Sequence, residues 1–206
     1  MIVKICGITR LDDAEAAVAA GASAIGFVFW PRSPRFIDPH RARAIAAMLP
    51  PLVTAVGVFV NQPLDYVNGV ASLVRLGAAQ LHGDETPAFA ARVAAPVMKA
   101  IAPGAGEPGA WPLRVRLLLD VHDPVARGGT GRTVDWGRAA DIASRREVVL
   151  AGGLTPDNVA EAIARVRPYG IDVSSGVERA PGVKDHQRLR ALFEALHGTS
   201  DIPARS

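Results

Sequence analysis

The sequence is poor in residues that mark several classes of protein. A single cysteine, Cys6, excludes an internal disulfide. No apolar run approaches the roughly 18 residues that a membrane-spanning helix needs. The first residues lack the basic stretch and long apolar run of a secretory signal. Together these absences predict a cytoplasmic protein, in a compartment that keeps its thiol reduced, with no membrane partner.

Lysine is also scarce. Only Lys4, Lys99 and Lys184 occur, and the remaining cations are arginines. The formal net charge is +3, which first suggests a nucleic-acid partner. The arginines are scattered and no nucleic-acid-binding motif is present, so we expect none. A positive surface would instead help to capture a small anionic molecule. No apolar patch in the sequence demands a second copy, and we expect a monomer.

Short apolar runs recur along the chain at intervals of about 20–30 residues. The chain has 206 residues, of which 49% are hydrophobic, enough for one domain with a sizeable core. The runs are rich in Val, Ile and Leu and are bounded by turn signals, which is typical of strands buried on both faces of a parallel sheet. The predicted strands are 2–6, 24–29, 55–60, 78–82, 97–101, 115–120, 147–151 and 170–174.

Helical segments alternate with these strands. Gly21 is a natural C-cap, and Asp38-Pro39 and Thr155-Pro156 each read as an N-cap followed by proline at the first helical position. Segment 103–112 is rich in glycine and proline, so we expect the fifth helix to be short or irregular. The predicted helices are 12–20, 39–49, 63–75, 86–94, 135–143, 156–166 and 185–196.

Eight strands alternating with helices in about 200 residues predict a parallel α/β fold closed into a single (β/α)8 TIM barrel. We expect residues 1–196 to form the barrel domain and 197–206 to be a loose tail. No G-x-G-x-x-G motif follows the first strand, which argues against a dinucleotide-binding fold.

A phosphate site is expected where strands seven and eight end. The active site of such a barrel lies at the carboxyl ends of its strands, often with phosphate bound by the last two loops. Small residues let backbone N–H groups approach an anion closely, and a short helix after Ser175 would add its positive end. Tight turns alone are the alternative interpretation. The predicted phosphate-binding residues are Gly152, Gly153, Ser174, Ser175 and Gly176.

Cys6 and Asp120 end the first and sixth predicted strands. Cys6 is either a buried structural thiol or a general base or nucleophile, which requires thiolate character. Lys4 shares its strand face, and an ammonium there would favour the thiolate. Asp120 is either a turn former or a general acid, and the second role requires a pKa raised by partial burial.

Asp172 lies in the otherwise apolar eighth strand. A carboxylate buried there needs a partner, so it either pairs with Lys4 or Lys99 inside the barrel or contacts a substrate hydroxyl. Gln80 and His82 share one face of the fourth strand, where His82 either contacts the substrate or satisfies a backbone carbonyl.

Two loops add further candidates. Arg35 follows the second strand and is either a solvated loop charge or a clamp that grips a carboxylate with two hydrogen bonds. The segment 127–132 after strand six is glycine-rich and would be either a lid over the site or a long turn.

Taken in order along the chain, these residues form motifs that resemble those of phosphoribosylanthranilate isomerases, the barrel enzymes of tryptophan biosynthesis. The resemblance covers nearly the whole chain, and its weakest stretch is 103–114. The motifs are KICGIT at 4–9, GFVF at 26–29, GVFVN at 57–61, QLHG at 80–83, LLLD at 117–120, GGTG at 128–131, AGGL at 151–154, DVSSGVE at 172–178 and PGVKD at 181–185.

The resemblance implies an Amadori rearrangement, in which N-(5'-phosphoribosyl)anthranilate becomes 1-(2-carboxyphenylamino)-1-deoxyribulose 5-phosphate. By analogy Cys6 is the general base, Asp120 the general acid and Arg35 the ligand of the anthranilate carboxylate. Asp172 would contact the substrate near the sugar, and backbone groups around Gly153 and residues 175–176 would hold the phosphate. No cofactor and no metal is implied.

Three alternatives stay open at this point. The histidine-pathway isomerase performs the same rearrangement on another aminoaldose phosphate, but that family has Asp in the place of Cys6. A metal-dependent sugar-phosphate epimerase needs several His and carboxylate ligands, and His82 stands nearly alone. A non-catalytic phosphate-binding barrel would not need both Cys6 and Asp120.

Overall fold

The computed structural model describes residues 1–102, 108–120 and 136–198. Its eight parallel strands hydrogen-bond in chain order, and β1 also pairs with β8, so the sheet closes into the predicted barrel. Each predicted strand boundary lies within one residue of the observed one. The strands are β1 (Ile2–Cys6), β2 (Ala24–Val28), β3 (Thr54–Phe59), β4 (Ala78–Leu81), β5 (Val97–Ile101), β6 (Arg116–Asp120), β7 (Val148–Ala151) and β8 (Gly170–Val173).

Helices surround the barrel. They are α1 (Leu11–Ala20), α2 (Pro39–Ala46), α3 (Leu64–Val74), α4 (Pro87–Ala90), α5 (Trp136–Ala143), α6 (Val159–Val166) and α7 (His186–His197). Gly21 ends α1 in the left-handed conformation, with φ 117°. Asp38 caps α2, because its side chain accepts hydrogen bonds from the backbone N–H groups of His40 and Arg41. Among the described residues, no helix is long and apolar enough to cross a membrane.

The prediction that Thr155 and Pro156 begin a helix is wrong. α6 begins three residues later at Val159, and Pro156 lies in a turn. The reason is local: the Asn158 side chain accepts a hydrogen bond from the Thr155 backbone N–H at 2.8 Å and donates one to the Gly153 carbonyl at 2.9 Å. These side-chain bonds hold residues 155–158 in a separate turn, in which the Thr155 carbonyl accepts from the backbone N–H groups of Asn158 and Val159, and the regular helix begins only after it.

Two other predicted helices are shorter than expected. α2 ends at Ala46, and α4 is a single turn over Pro87–Ala90. In the region expected to be irregular, Pro108–Ala110 form a 3-10 turn, and 103–107 lie outside the described residues. The segment 127–132 and the tail from 199 onward also lie outside them. The division of the chain at 196 stays a prediction.

A small antiparallel hairpin after β8 was not predicted. Its strands are β9 (Glu178–Ala180) and β10 (Val183–Lys184), and a 3-10 turn over Ser175–Val177 precedes it. The hairpin carries the chain from the end of the barrel into α7 and brings the Lys184 side chain back to the Cys6 carbonyl.

The hydrophobic core has two layers divided by the sheet. The larger layer packs the outer strand faces against the helices and includes Phe27, Leu81 and Leu117. A smaller group fills the barrel interior and includes Met98 and Ala100. Lys99 lies between these two on β5, so its side chain points to the opposite face, outside the barrel interior.

Candidate active site

A cavity of about 420 Å³ lies at the carboxyl ends of the barrel strands. We call it the strand-end cavity. Ten of the predicted site residues line it, together with hydrophobic residues such as Val28, Val58 and Leu154. Those ten are Cys6, Arg35, Gln80, His82, Asp120, Gly152, Gly153, Asp172, Ser174 and Ser175. Side chains far apart in sequence therefore meet in one space, as they must if they act on one substrate.

A larger cavity, of about 610 Å³, lies elsewhere and is lined by residues that include Arg43, Leu52 and Arg75. Its lining contains neither a carboxylate nor a thiol. It therefore lacks the acid and base that the strand-end cavity brings together.

Lys4 and Asp172 form a buried ion pair within the barrel. The two residues are register partners on β1 and β8, and Lys4 Nζ lies 2.8 Å from Asp172 Oδ2. Of the two lysines that the sequence offered as partners, Lys4 is thus the one that pairs. Asp172 Oδ1 is buried and has no hydrogen-bond partner among the described residues. One carboxylate oxygen is therefore left for a further contact.

The Cys6 thiol lies beside this ion pair and is 8% exposed. Burial raises its pKa above the ordinary thiol value, and the negative charge of Asp172 raises it further. The Lys4 ammonium acts in the opposite direction, as the sequence suggested, but does not outweigh burial. The pKa of Lys4 is raised because Asp172 and Cys6 outweigh its own burial, so Lys4 is charged.

Asp120 shares the cavity with a short polar chain from β4. Gln80 Nε2 lies 2.9 Å from His82 Nδ1, and His82 Nε2 lies 3.3 Å from Asp120 Oδ2. In this orientation the Gln80 amide donates to His82 Nδ1, and the matching ring tautomer turns an Nε2–H toward Asp120. Among the described residues, the His82 ring nitrogens therefore contact a site carboxylate and the Gln80 amide, and no backbone carbonyl.

Arg35 is held by a carboxylate of the chain itself. Its Nε lies 2.9 and 3.1 Å from the two Glu178 oxygens, and its Nη2 lies 2.6 Å from Oε2. Glu178 also contacts Lys184, at 2.9 Å. Sequence reasoning assigned no role to Glu178 or Lys184. The available signal was that the chain has so few lysines, one of which falls in the motif at 181–185.

The loops after β7 and β8 present backbone groups to the cavity. Gly152 and Gly153 have φ values of 90° and 65°, which favour glycine, and a Cβ at Gly153 would meet only open space. Gly176, the remaining predicted phosphate residue, does not line the cavity. Its place is packing: a Cβ there would overlap the Leu154 carbonyl oxygen, so glycine lets the two loops touch.

Comparison with known proteins agrees with this geometry. Residues 3–195 match the family model for N-(5'-phosphoribosyl)anthranilate (PRA) isomerase. The N-(5'-phosphoribosyl)anthranilate isomerase of Citrifermentans bemidjiense is 50% identical over 194 residues, which cover 93% of this chain and 94% of that protein.

Solved structures agree as well. The crystal structure of phosphoribosyl anthranilate isomerase from Thermotoga maritima superposes with a TM-score of 0.86 at 43% identity, covering 96% of this chain and 100% of that one. A second structure, of the isomerase in complex with reduced 1-(o-carboxyphenylamino)-1-deoxyribulose 5-phosphate, has a TM-score of 0.83 at 42% identity, with coverage of 96% and 100%. The chain therefore belongs to the N-(5'-phosphoribosyl)anthranilate isomerase family.

Proposed function

We propose that Cys6 is the general base and Asp120 the general acid with which this chain isomerises N-(5'-phosphoribosyl)anthranilate in tryptophan biosynthesis. The observation that supports this assignment is that the chain's only thiol and the Asp120 carboxylate line the same cavity from strands β1 and β6. These strands are separated by β7 and β8 on one side of the barrel, so the two groups can approach a small sugar from different sides.

The first step is opening of the sugar ring. Asp120 gives its proton to the ring oxygen while the bond between that oxygen and C1 breaks. The nitrogen lone pair forms a C=N bond to C1, which yields a protonated Schiff base. The His82 Nε2–H faces Asp120 at 3.3 Å and can keep this carboxyl oriented toward the substrate.

The second step is removal of the C2 proton. The Cys6 thiolate takes this proton, the C2–H electron pair forms a C1=C2 bond, and the C=N electrons return to nitrogen. The resulting enolamine tautomerises to the ketone as C1 gains a proton and the C2 hydroxyl loses one. Because burial raises the pKa of Cys6, the nearby Lys4 ammonium is important for forming the thiolate.

The remaining predicted residues would bind the substrate. Arg35 faces the cavity and would hold the anthranilate carboxylate. The free Oδ1 of Asp172 would accept a hydrogen bond from a sugar hydroxyl, and Gln80 lies beside His82 on the same wall. Backbone N–H groups around Gly153 and Ser175 would bind the phosphate, with Gly152 and Ser174 completing that end.

The experiment is a fluorescence assay of purified protein with freshly generated N-(5'-phosphoribosyl)anthranilate and EDTA present. We expect Cys6→Ser and Asp120→Asn each to lower kcat by about 10²–10⁴-fold, the usual worth of one acid–base group, without unfolding the chain. Near-wild-type turnover in either folded variant would refute that residue's role. Loss of wild-type turnover in EDTA would refute a metal-free mechanism.

We further propose that the chain works as a cytoplasmic monomer without a nucleic-acid partner. The groups assigned here to proton transfer, to the carboxylate and to the phosphate are all carried by this chain and line a single cavity, so the proposed mechanism calls on no residue of a second copy. A Thermotoga maritima relative, 40% identical, is described as dimeric. Sedimentation velocity of this chain at micromolar concentration tests the point, and a dimer with full activity would contradict it.

A further inference from the structure

The hairpin after β8 places a buried ion pair behind the substrate site. Lys184 Nζ lies 2.9 Å from Glu178 Oε1, and the two side chains are 0% and 4% exposed. Removing both charges from water is costly, so a buried pair is weak evidence for a role in stability alone. The other contacts of the two side chains indicate what the pair does.

At one end, Lys184 reaches the backbone of the proposed base. Its Nζ donates to the Cys6 carbonyl at 2.6 Å and to the Ser174 carbonyl at 3.2 Å. The Ser174 hydroxyl donates to the same Cys6 carbonyl at 3.1 Å. One ammonium therefore ties the end of β1, where Cys6 lies, to the end of β8, where the phosphate loop begins.

At the other end, Glu178 holds Arg35 with the two-pronged geometry that fixes a guanidinium in orientation as well as position. The Gly182 backbone N–H donates to the same carboxylate at 3.2 Å. Burial opposes ionisation of Glu178, but the hydrogen bonds from Arg35 and Lys184 outweigh it and lower its pKa. Glu178 is therefore a carboxylate, and Arg35 is held by a full charge.

We propose that Lys184 and Glu178 are positioning residues for the isomerase reaction, with Lys184 setting Cys6 and Glu178 setting Arg35. The inference rests on the proposed function, which assigns Cys6 to proton abstraction and Arg35 to the anthranilate carboxylate. Since the two positioning residues bind each other, they fix the spacing between the base and the group that anchors the aromatic end of the substrate.

Lys184 also acts on Cys6 through its charge. The charged groups that face the thiol are Lys4 on β1, Asp172 on β8 and Lys184 on β10. Burial and then Asp172 raise the pKa of Cys6, whereas Lys4 and Lys184 lower it. The pKa of Lys184 itself is lowered by burial, and Glu178 opposes that change. Loss of the Lys184 charge removes one of the two cations that favour the Cys6 thiolate.

Because Cys6 is the only cysteine, alkylation by iodoacetamide reports its ionisation without interference from another thiol. We would measure the alkylation rate from pH 6 to 10 in wild type, Lys184→Met and Lys99→Met. Lys99 is the matched control: it too is a buried lysine paired with a carboxylate, Glu85 at 2.9 Å, but it does not line the strand-end cavity. We expect about tenfold slower alkylation at neutral pH in Lys184→Met, and no change in Lys99→Met.

Steady-state kinetics with N-(5'-phosphoribosyl)anthranilate distinguish the role of Lys184 at Cys6 from the role of Glu178 at Arg35. Lys184→Met should lower kcat, about tenfold, because the base is less ionised and less well placed. Glu178→Gln leaves the Lys184 side chain in place and should instead raise KM about tenfold with a smaller change in kcat, because Arg35 loses its charged partner. Alkylation of Cys6 should be slowed less in Glu178→Gln than in Lys184→Met, because Lys184 keeps its hydrogen bonds to the Cys6 and Ser174 carbonyls.

The inference is overturned if folded Lys184→Met keeps the wild-type alkylation profile and kcat, or if Lys99→Met changes both as much. If Lys184→Met does not fold, Glu178→Gln decides: a raised KM supports the inference and an unchanged KM overturns it. Full turnover in Cys6→Ser would instead refute the proposed function, so the two failures are distinguishable.

Discussion

Lys4 and Lys99 are both buried lysines that pair with a carboxylate, at 2.8 and 2.9 Å, yet they end in different surroundings. Lys99 lies on the outer face of the barrel sheet, where its Nζ also donates to the Gly83 carbonyl. The oxygens of its partner Glu85 accept from the backbone N–H groups of Asn61 and Gly83. Both Glu85 oxygens therefore have partners within the chain.

In the Lys4 pair, by contrast, one carboxylate oxygen has no hydrogen-bond partner within the described chain. Asp172 Oδ1 has no partner among the described residues, and the other neighbour of Lys4 is the Cys6 thiol. Residue type, burial and ion-pair distance are nearly the same in the two pairs, so none of these separates structure from function. The two pairs differ in whether a carboxylate oxygen is left to accept a further hydrogen bond. In the Lys4 pair that oxygen is Asp172 Oδ1, and Asp172 lines the strand-end cavity. The following predictions test this difference.

The largest effect on stability is expected for Lys99→Met. The change leaves the Glu85 carboxylate buried without its cation, which should cost about 3–5 kcal/mol in the free energy of unfolding. Because this pair makes no contact with the strand-end cavity, kcat and KM of the folded variant should equal those of wild type. Urea denaturation and steady-state kinetics measure the two quantities, and a large loss of kcat without loss of stability would remove the contrast with Lys4.

Asp172→Asn should differ from Lys99→Met by lowering activity as well as stability, since it also leaves a buried charge, that of Lys4, without its partner. We expect kcat/KM to fall by about 10–100-fold, the worth of one charged hydrogen bond to a substrate hydroxyl. Alkylation of Cys6 at neutral pH should become faster, because Asp172 raises the pKa of that thiol. Slower alkylation in this variant would show that Asp172 influences Cys6 by another route.

In wild type, alkylation of Cys6 should be slow at neutral pH. Burial raises the pKa of the thiol, so the rate should rise about tenfold per pH unit and level off only above the ordinary thiol range. A free thiol such as glutathione, measured under the same conditions, gives the reference curve. A plateau for Cys6 at lower pH than the reference would mean that the two neighbouring lysines outweigh burial.

The smallest effect is expected for Gly153→Ala. A Cβ at this position meets only open space, but φ is 65°, and the left-handed conformation costs a non-glycine residue about 1–2 kcal/mol. If this loop binds phosphate, KM should rise several-fold with little change in kcat. Gly176→Ala is the comparison variant: it should lose more stability, since its Cβ would overlap the Leu154 carbonyl.

The sequence predicted the barrel well because each strand is a short apolar run with clear turn signals, and parallel strands buried on both faces carry that pattern. It failed at Thr155-Pro156, where the start of a helix and a turn use the same residues and the Asn158 side chain decides between them. Proline fixes only its own φ, so it fits either structure.

Within the site, the sequence identified which residues end the strands but not which partners they would meet. Alternation along β5 separates Lys99 from Met98, but it does not say which of the two faces the barrel interior. Glu178 and Lys184 were missed because they lie on strands of three and two residues, too short to show any periodicity. Their importance follows from hydrogen bonds that span as many as 178 positions in sequence.

The three lysines of this chain, Lys4, Lys99 and Lys184, are 2%, 4% and 2% exposed, so the positive charge of its surface is carried by arginine. An amine-acylating reagent therefore reaches none of the ε-amino groups in the folded protein. Each lysine sits in a different part of the architecture: the barrel interior, the outer face of the sheet and the hairpin. The order in which the three become acylated as denaturant is added would report which of these parts opens first.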